Sequence, residues 1–246
     1  MRRALLKNVL LIMIAFGVIG CAHIGGSGAL TTYLDQEALS LADQKQYELS
    51  LYYIESGHYK SAREKLERLV IDNPNFPDAY NGLGVIHERR GRVTLAADYF
   101  LRAIQLNPNY DTAIKNYGVL MCYVTGGDGI ISMAKNQYQT MVKSRLYSEA
   151  ARCYLDNEKY QQATDALNKA LQLDTDYADS YLIKAKLDYK LAQYESAESA
   201  IFHFNDLNGY TEESVRLALI LAEKRGNQAD IDRYKNILVE QFQMTK

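Results

Sequence analysis

The stretch DNPNFPDAYNGLG (Asp72 to Gly84) returns as LNPNYDTAIKNYG (Leu106 to Gly118) and again, more faintly, as LDTDYADSYLIKA (Leu173 to Ala185). Pro74 and Pro108 are 34 residues apart, and Thr175 stands in the proline's place 67 residues further on. A fixed period of this length marks a stacked repeat. Each unit is then one supersecondary element that cannot bury its apolar face alone, so units must pile on one another to make a core.

Working outward from the prolines, the unit that opens at Asp43 has Leu49 and Ser50 at its seventh and eighth positions and Tyr53 at its eleventh. Gly57 falls at the turn, and Ala62, Leu66 and Leu69 follow along the second half. The unit opening at Pro77 puts Tyr80, Leu83, Gly84, His87, Gly91, Ala96, Phe100, Ala103 and Pro108 at the matching places. The unit that ends near Thr175 gives Tyr147, Ala150, Ala151, Tyr154, Tyr160, Ala163, Leu167 and Ala170. This pattern resembles the tetratricopeptide repeat, a helix–turn–helix of about 34 residues. Small residues at the eighth and twentieth positions let two helices approach. Bulky ones at the fourth, eleventh and twenty-fourth fill the space between them, and the proline stops the second helix before the next unit begins.

The unit from Asp111 to Lys143 is one residue short. Its first helix is regular (Ile114, Tyr117, Gly118, Met121), but TGGDG (Thr125 to Gly129) replaces the usual turn, and the second helix, through Met133, Ala134 and Tyr138, lacks the clean pattern. TGGDG has neither a preceding strand nor a following Lys-Ser/Thr, so it reads as an interhelical turn and not a phosphate loop. A fifth unit carries Tyr181, Ala185, Tyr194, Ala197 and Ile201, with Gly209 where proline would be. The last segment, EESVRLALILAEKRGNQADIDRYKNILVEQF, is apolar every three or four residues and reads as a capping helix pair. The expectation is one all-α, right-handed α-solenoid of about six helix pairs over residues 41–246.

The segment before it reads differently. MRRALLK is a basic n-region, and NVLLIMIAFGVI is an apolar run too short for the roughly 20 residues that cross a bilayer, which reads residues 1–20 as a signal peptide. The run ends in VIGC, and Gly20 before Cys21 resembles the lipobox of bacterial lipoproteins, which makes Cys21 the expected lipid attachment residue. Acyl chains there give stable anchoring. Ala22 after the cysteine, and not Asp, implies the outer membrane by the sorting rule of enteric bacteria. Residues 21–40 follow as a Gly- and Thr-rich tether; about fourteen residues of AHIGGSGALTTYLDQ average roughly 20 Å as a coil and reach at most about 45 Å extended. GGSG within it lacks the context of a nucleophile elbow.

Composition supports a folded scaffold. The 246 residues are 48% hydrophobic and 24% charged with a formal net charge of −2, which gives no nucleic-acid footprint. The four histidines, His23, His58, His87 and His203, are scattered with no second ligand at metal spacing. His87 occupies the eleventh position, where sister units carry Tyr53 and Tyr154, so packing accounts for it. No cofactor, metal or small-molecule substrate is expected, and the chain reads as no enzyme. Cys122 and Cys153 lie on first helices of neighbouring units. A disulfide between them is one reading, and two small buried side chains the other.

What is left is a protein-binding scaffold. In such stacks the inner, concave surface is lined by first helices at the second, fifth, ninth and twelfth positions. The candidate groove residues are accordingly Tyr47, Leu51 and Ile54 in the first unit, Asn81 and Val85 in the second, and Lys115 and Val119 in the third. Tyr47, Leu51 and Ile54 form an apolar strip suited to an amphipathic partner segment, unless a helix from QEALSLADQ (Gln36 to Gln44) folds over it. No lysine/asparagine clamp for a peptide carboxylate stands at the required places. YNGLG in the second unit, KNYG in the third, the degenerate helix after it and the terminal RLALILAEKRGNQADIDRYKNILVEQF together resemble the PilF/PilW family of type IV pilus biogenesis lipoproteins. That resemblance implies a pilotin, which brings the outer-membrane secretin to its membrane, promotes its multimerisation and so supports twitching motility. Lys115, where the family often has a second Asn, and Thr175, in place of proline, depart from its pattern. A scaffold lipoprotein of outer-membrane protein insertion and an adaptor for periplasmic cell-wall hydrolases or proteases share the anchor and the repeats.

Overall fold

The computed structural model describes residues 39–242. The expected signal peptide, Cys21 and all but the last two residues of the tether lie outside the described residues. Among the described residues there are eleven α-helices and no strand: α1 (Leu41–Glu55), α2 (Tyr59–Asp72), α3 (Pro77–Arg89), α4 (Val93–Leu106), α5 (Asp111–Asn136), α6 (Thr140–Asp156), α7 (Tyr160–Leu173), α8 (Ala178–Lys190), α9 (Tyr194–Asn208), α10 (Glu212–Arg225) and α11 (Gln228–Phe242). They form six helix pairs, the third made by the two halves of α5.

Local chemistry sets the helix ends. Ser40 caps α1, its Oγ accepting from the Asp43 N–H at 3.1 Å. The part of QEALSLADQ that is described therefore enters α1 directly and is not a separate covering helix. Pro77 sits in the first turn of α3, where its missing N–H costs nothing. The carbonyls of the two repeat prolines are both held: Tyr80 Oη donates to that of Pro74 at 3.1 Å, and Arg145 Nη1 to that of Pro108 at 3.3 Å.

One turn recurs in five of the six pairs. Its fifteenth residue lies in the left-handed region: Gly57 (φ 74°), Gly91 (68°), Glu158 (58°), Ala192 (58°) and Gly226 (66°). The next N–H reaches back to the eleventh carbonyl, His58 to Tyr53, Lys159 to Tyr154 and Gln193 to Asp188 at 2.8 Å, Arg92 to His87 at 2.9 Å and Asn227 to Ala222 at 3.1 Å. These bonds satisfy orphan carbonyls at each helix end. The third pair lacks the motif. There the chain breaks at Gly126 alone (φ 68°, ψ −171°) and resumes as helix at once, so TGGDG is a turn compressed to one residue. The second half of α5 stops at Asn136. Tyr138, expected on that helix, lies beyond it and is fully exposed.

The repeat positions pack as their sizes require. Ala62, Ala96, Ala163 and Ala197 at the twentieth position are wholly buried, as are Leu66 and Phe100 at the twenty-fourth. Gly84 faces Phe100 so closely that a Cβ on it would come within 2.4 Å of the ring. First helices also meet one another in succession: α1 meets α3, α3 meets α5, α6 meets α8 and α8 meets α10. Cys122 on α5 and Cys153 on α6 are disulfide-bonded with Cα atoms 5.6 Å apart, which resolves the two sequence readings in favour of the bond.

Candidate protein-binding face

The seven groove residues expected from sequence lie in order along α1, α3 and α5, the successive first helices. Their environments differ. Tyr47 is half-buried, with its ring edge-on to Phe76 at 5.1 Å. Burial first, and then the charge of Asp78, push its hydroxyl pKa up to about 12, opposed by a hydrogen bond from Tyr110. Tyr110 in turn bonds Asp78 and is driven well above the usual tyrosine range, chiefly by burial. Tyr47 therefore ties the first unit to the second, and Ile54 packs beside it on the core of Leu66, Leu69 and Leu83. Leu51, one turn from each, stays open at 37% exposure.

On α3, Asn81 is buried and its Oδ1 accepts from Asn116 Nδ2 at 2.9 Å, a strut between α3 and α5. Val85 is half-buried on the central core. On α5, Lys115 is ion-paired with Asp179 at the start of α8, and Val119 is 52% exposed. Three of the seven, Tyr47, Asn81 and Lys115, thus hold the stack in register. Leu51, Val85 and Val119, all at the ninth position, form an apolar track with accessible surface.

Sequence reasoning missed two parts of this face. Tyr123, at the thirteenth position one turn beyond Val119, is 89% exposed. With Val119 it forms one wall of a cavity of about 390 Å³ between α5 and α6. The disulfide, Gly118, Arg152 and Asp156 also line it. Glu149 is buried there and neutralised by Arg152. Its side chain occupies the space that a Cβ on Gly118 would fill. The second omission is a polar ladder at the helix N-termini. Arg145 pairs with Asp111 at 2.9 Å and lies 5.2 Å over the Tyr177 ring, whose hydroxyl donates to Asp179 at 3.2 Å. Burial raises the Asp111 pKa, with Arg145 and Lys115 opposing. Ser148 and Ser180 bond at 2.6 Å, and Lys186 meets Glu213 at 2.5 Å. Apart from Tyr177 and Asp179, each partner stands a unit away in the chain, where no register position announces it.

One partly buried cluster has the composition of a reactive site. Asp188 accepts from Lys184 Nζ at 2.5 Å and from Ser196 Oγ at 2.6 Å. Lys184 Nζ also donates to Ser196 Oγ at 3.0 Å, so the three side chains close a ring of mutual hydrogen bonds. The cluster packs α8 against α9.

Comparison with known proteins agrees with this architecture. Tetratricopeptide-repeat family profiles match residues 47–111 and 144–177. The type IV pilus assembly protein PilF of Pseudomonas aeruginosa is 22% identical over 221 residues, spanning 88% of this chain and 86% of that protein. Among solved structures, PilW, a type IV pilus biogenesis factor, superposes with a TM-score of 0.54 at 15% identity, covering 85% of this chain and 97% of PilW. A Pseudomonas aeruginosa PilF structure gives 0.53 at 21% identity, covering 83% and 93%. Repeat, turn and superposition converge: the chain is an all-α solenoid of tetratricopeptide-type helix pairs, similar over most of its length to proteins of type IV pilus biogenesis.

Proposed function

We propose that this protein is a non-enzymatic scaffold of type IV pilus assembly, a lipid-anchored pilotin at the periplasmic face of the outer membrane that holds secretin subunits and promotes their multimerisation. The observation that carries this reading is the span of the similarity to PilF. It runs through nearly all of both chains, including the irregular third unit, where a generic repeat match would be confined to regular units. In this reading Cys21 carries the acyl chains and residues 21–40 are the tether. Leu51, Val85 and Val119 contact the client, with Tyr47, Ile54, Asn81 and Lys115 fixing the helices that present them. Each buried apolar anchor of the client would contribute about 1.5–3 kcal/mol.

The test is the yield of heat-resistant secretin multimers on gels from wild-type, deletion, Cys21→Ser and Leu51→Glu cells. Deletion should leave secretin subunits made but monomeric or mislocalised, with twitching lost. Cys21→Ser should abolish palmitate labelling and membrane retention. Leu51→Glu should reduce multimers while the protein level is unchanged. Normal multimers in the deletion strain would refute the pilotin reading, and loss in the deletion with normal multimers in Leu51→Glu would reject only the contact residue.

A further inference from the structure

The turn after α3 reads ERRGR, Glu88 to Arg92. Arg89, Arg90 and Arg92 are all exposed, and none has an ion-pair partner among the described residues. They stand within five residues of chain, three guanidinium groups on one exposed turn. Their field is felt locally: after burial, Arg92, Arg63 and Arg90 are what hold the His87 pKa below its ordinary value. Glu67 opposes them at His87 and Glu88 stands in the same turn, so ERRGR itself carries three cations against one carboxylate.

Arg89 lies one helical turn beyond Val85 on α3, and Arg90 and Arg92 follow in the turn. Arg89 holds the thirteenth position on α3, as Tyr123 does on α5 and Asp156 on α6, and the last two line the cavity above the disulfide. With neighbouring helices roughly 9 Å apart, Leu51 to Val119 spans roughly 20 Å. A helical segment of about 13 residues covers that distance.

We propose that the face formed by Leu51, Val85, Val119 and Tyr123 receives an acidic amphipathic segment of a partner protein, its apolar side on those residues and its carboxylates against Arg89, Arg90 and Arg92. This rests on the reading that the first-helix face holds the client, and it adds the client's chemistry. A protein segment fits better than an anionic bilayer because the apolar surface continues into a recess of about 390 Å³. A side chain can enter such a recess and a membrane surface cannot. Guanidinium forks bind carboxylates with two parallel hydrogen bonds, which also sets the segment's direction.

The experiment uses the detergent-solubilised full chain and a fluorescein-labelled peptide of about 13 residues, Leu and Ala on one helical face and Glu on the other. Its twin with Lys for Glu, and vesicles of phosphatidylglycerol and phosphatidylcholine, complete the set. The acidic peptide should bind, and its affinity should fall as salt rises. R89A/R90A/R92A should weaken it about tenfold with an unchanged melting curve, R89K/R90K/R92K should restore part of the loss, and Val119→Glu should weaken it independently. Equal or tighter binding of the Lys twin, unchanged binding by the triple alanine variant, or binding to the vesicles alone would overturn the proposal. Arginine-dependent peptide binding beside normal secretin multimers in a deletion strain would remove the pilus role and keep this surface. Lost multimers without arginine dependence would do the reverse.

Discussion

The tightest test of the repeat packing is the contact between Gly84 and Phe100. In an open helical site Gly→Ala stabilises by about 1 kcal/mol, because alanine loses less backbone entropy on folding. At Gly84 the added Cβ would stand 2.4 Å from Phe100 Cε1 and 2.5 Å from Cδ1. The ring is wholly buried and cannot swing into solvent. Overpacking of this kind costs about 1–3 kcal/mol, so Gly84→Ala should destabilise by about 1–2 kcal/mol net, and Gly84→Leu by more. Phe100→Leu removes the obstructing edge at its own cavity cost, about 1–2 kcal/mol, a fraction of a full Phe→Ala truncation. On that background Gly84→Ala should become neutral or stabilising, a coupling of about 2 kcal/mol. Gly82→Ala is the control: its Cβ would meet only the tip of Leu66, a flexible side chain, at 2.9 Å, and should cost less. Urea unfolding of residues 22–246 gives each value, provided the slope with denaturant is constant across the six proteins. Gly84→Ala that stabilises the wild type, or costs the same with and without the Phe100 ring, would refute the pairing of the eighth and twenty-fourth positions.

Three other expectations follow from the same geometry. Glu158→Gly and Ala192→Gly, at left-handed turn residues with φ 58°, should each raise stability by up to about 1 kcal/mol, read as a higher melting temperature; a lower one would refute the strain at these turns. Removing the Cys122–Cys153 bond by Cys122→Ser with Cys153→Ser should cost about 3–4 kcal/mol, since it closes a loop of 31 residues, and a melting curve indifferent to reductant would contradict it. His87 is buried, stacked on Tyr99 at 5.2 Å, and its pKa is lowered by burial and by Arg92, Arg63 and Arg90. The unfolded chain then takes up a proton at a higher pH than the folded one, so His87 should favour folding above about pH 6.5 and lose that effect as pH falls. The fall in stability from about pH 7 to pH 5 should flatten in His87→Phe, and an unchanged slope would exclude His87 as its source.

The sequence by itself determined the repeat. The 34-residue spacing, the small residues at the eighth and twentieth positions and the proline between units specify helix pairs that must stack, because those properties are local in the chain or periodic along it. Six pairs and the packing of His87 were legible for the same reason. The candidate face was legible only by position. The ninth-position track of Leu51, Val85 and Val119 keeps accessible surface, but Tyr47, Asn81 and Lys115 have partners at Tyr110, Asn116 and Asp179, and no periodicity announces which side chain will reach across units. The tertiary structure alone decided that Cys122 and Cys153 are bonded, since that requires two helices to bring their Cα atoms within 5.6 Å. It also decided that TGGDG needs only Gly126 to break the helix, and that Tyr123 lines a recess beside the disulfide. Spacing along a chain fixes which face of a helix a residue occupies. What that face meets depends on how far each unit turns against the next, and that follows from side-chain packing summed over the whole stack.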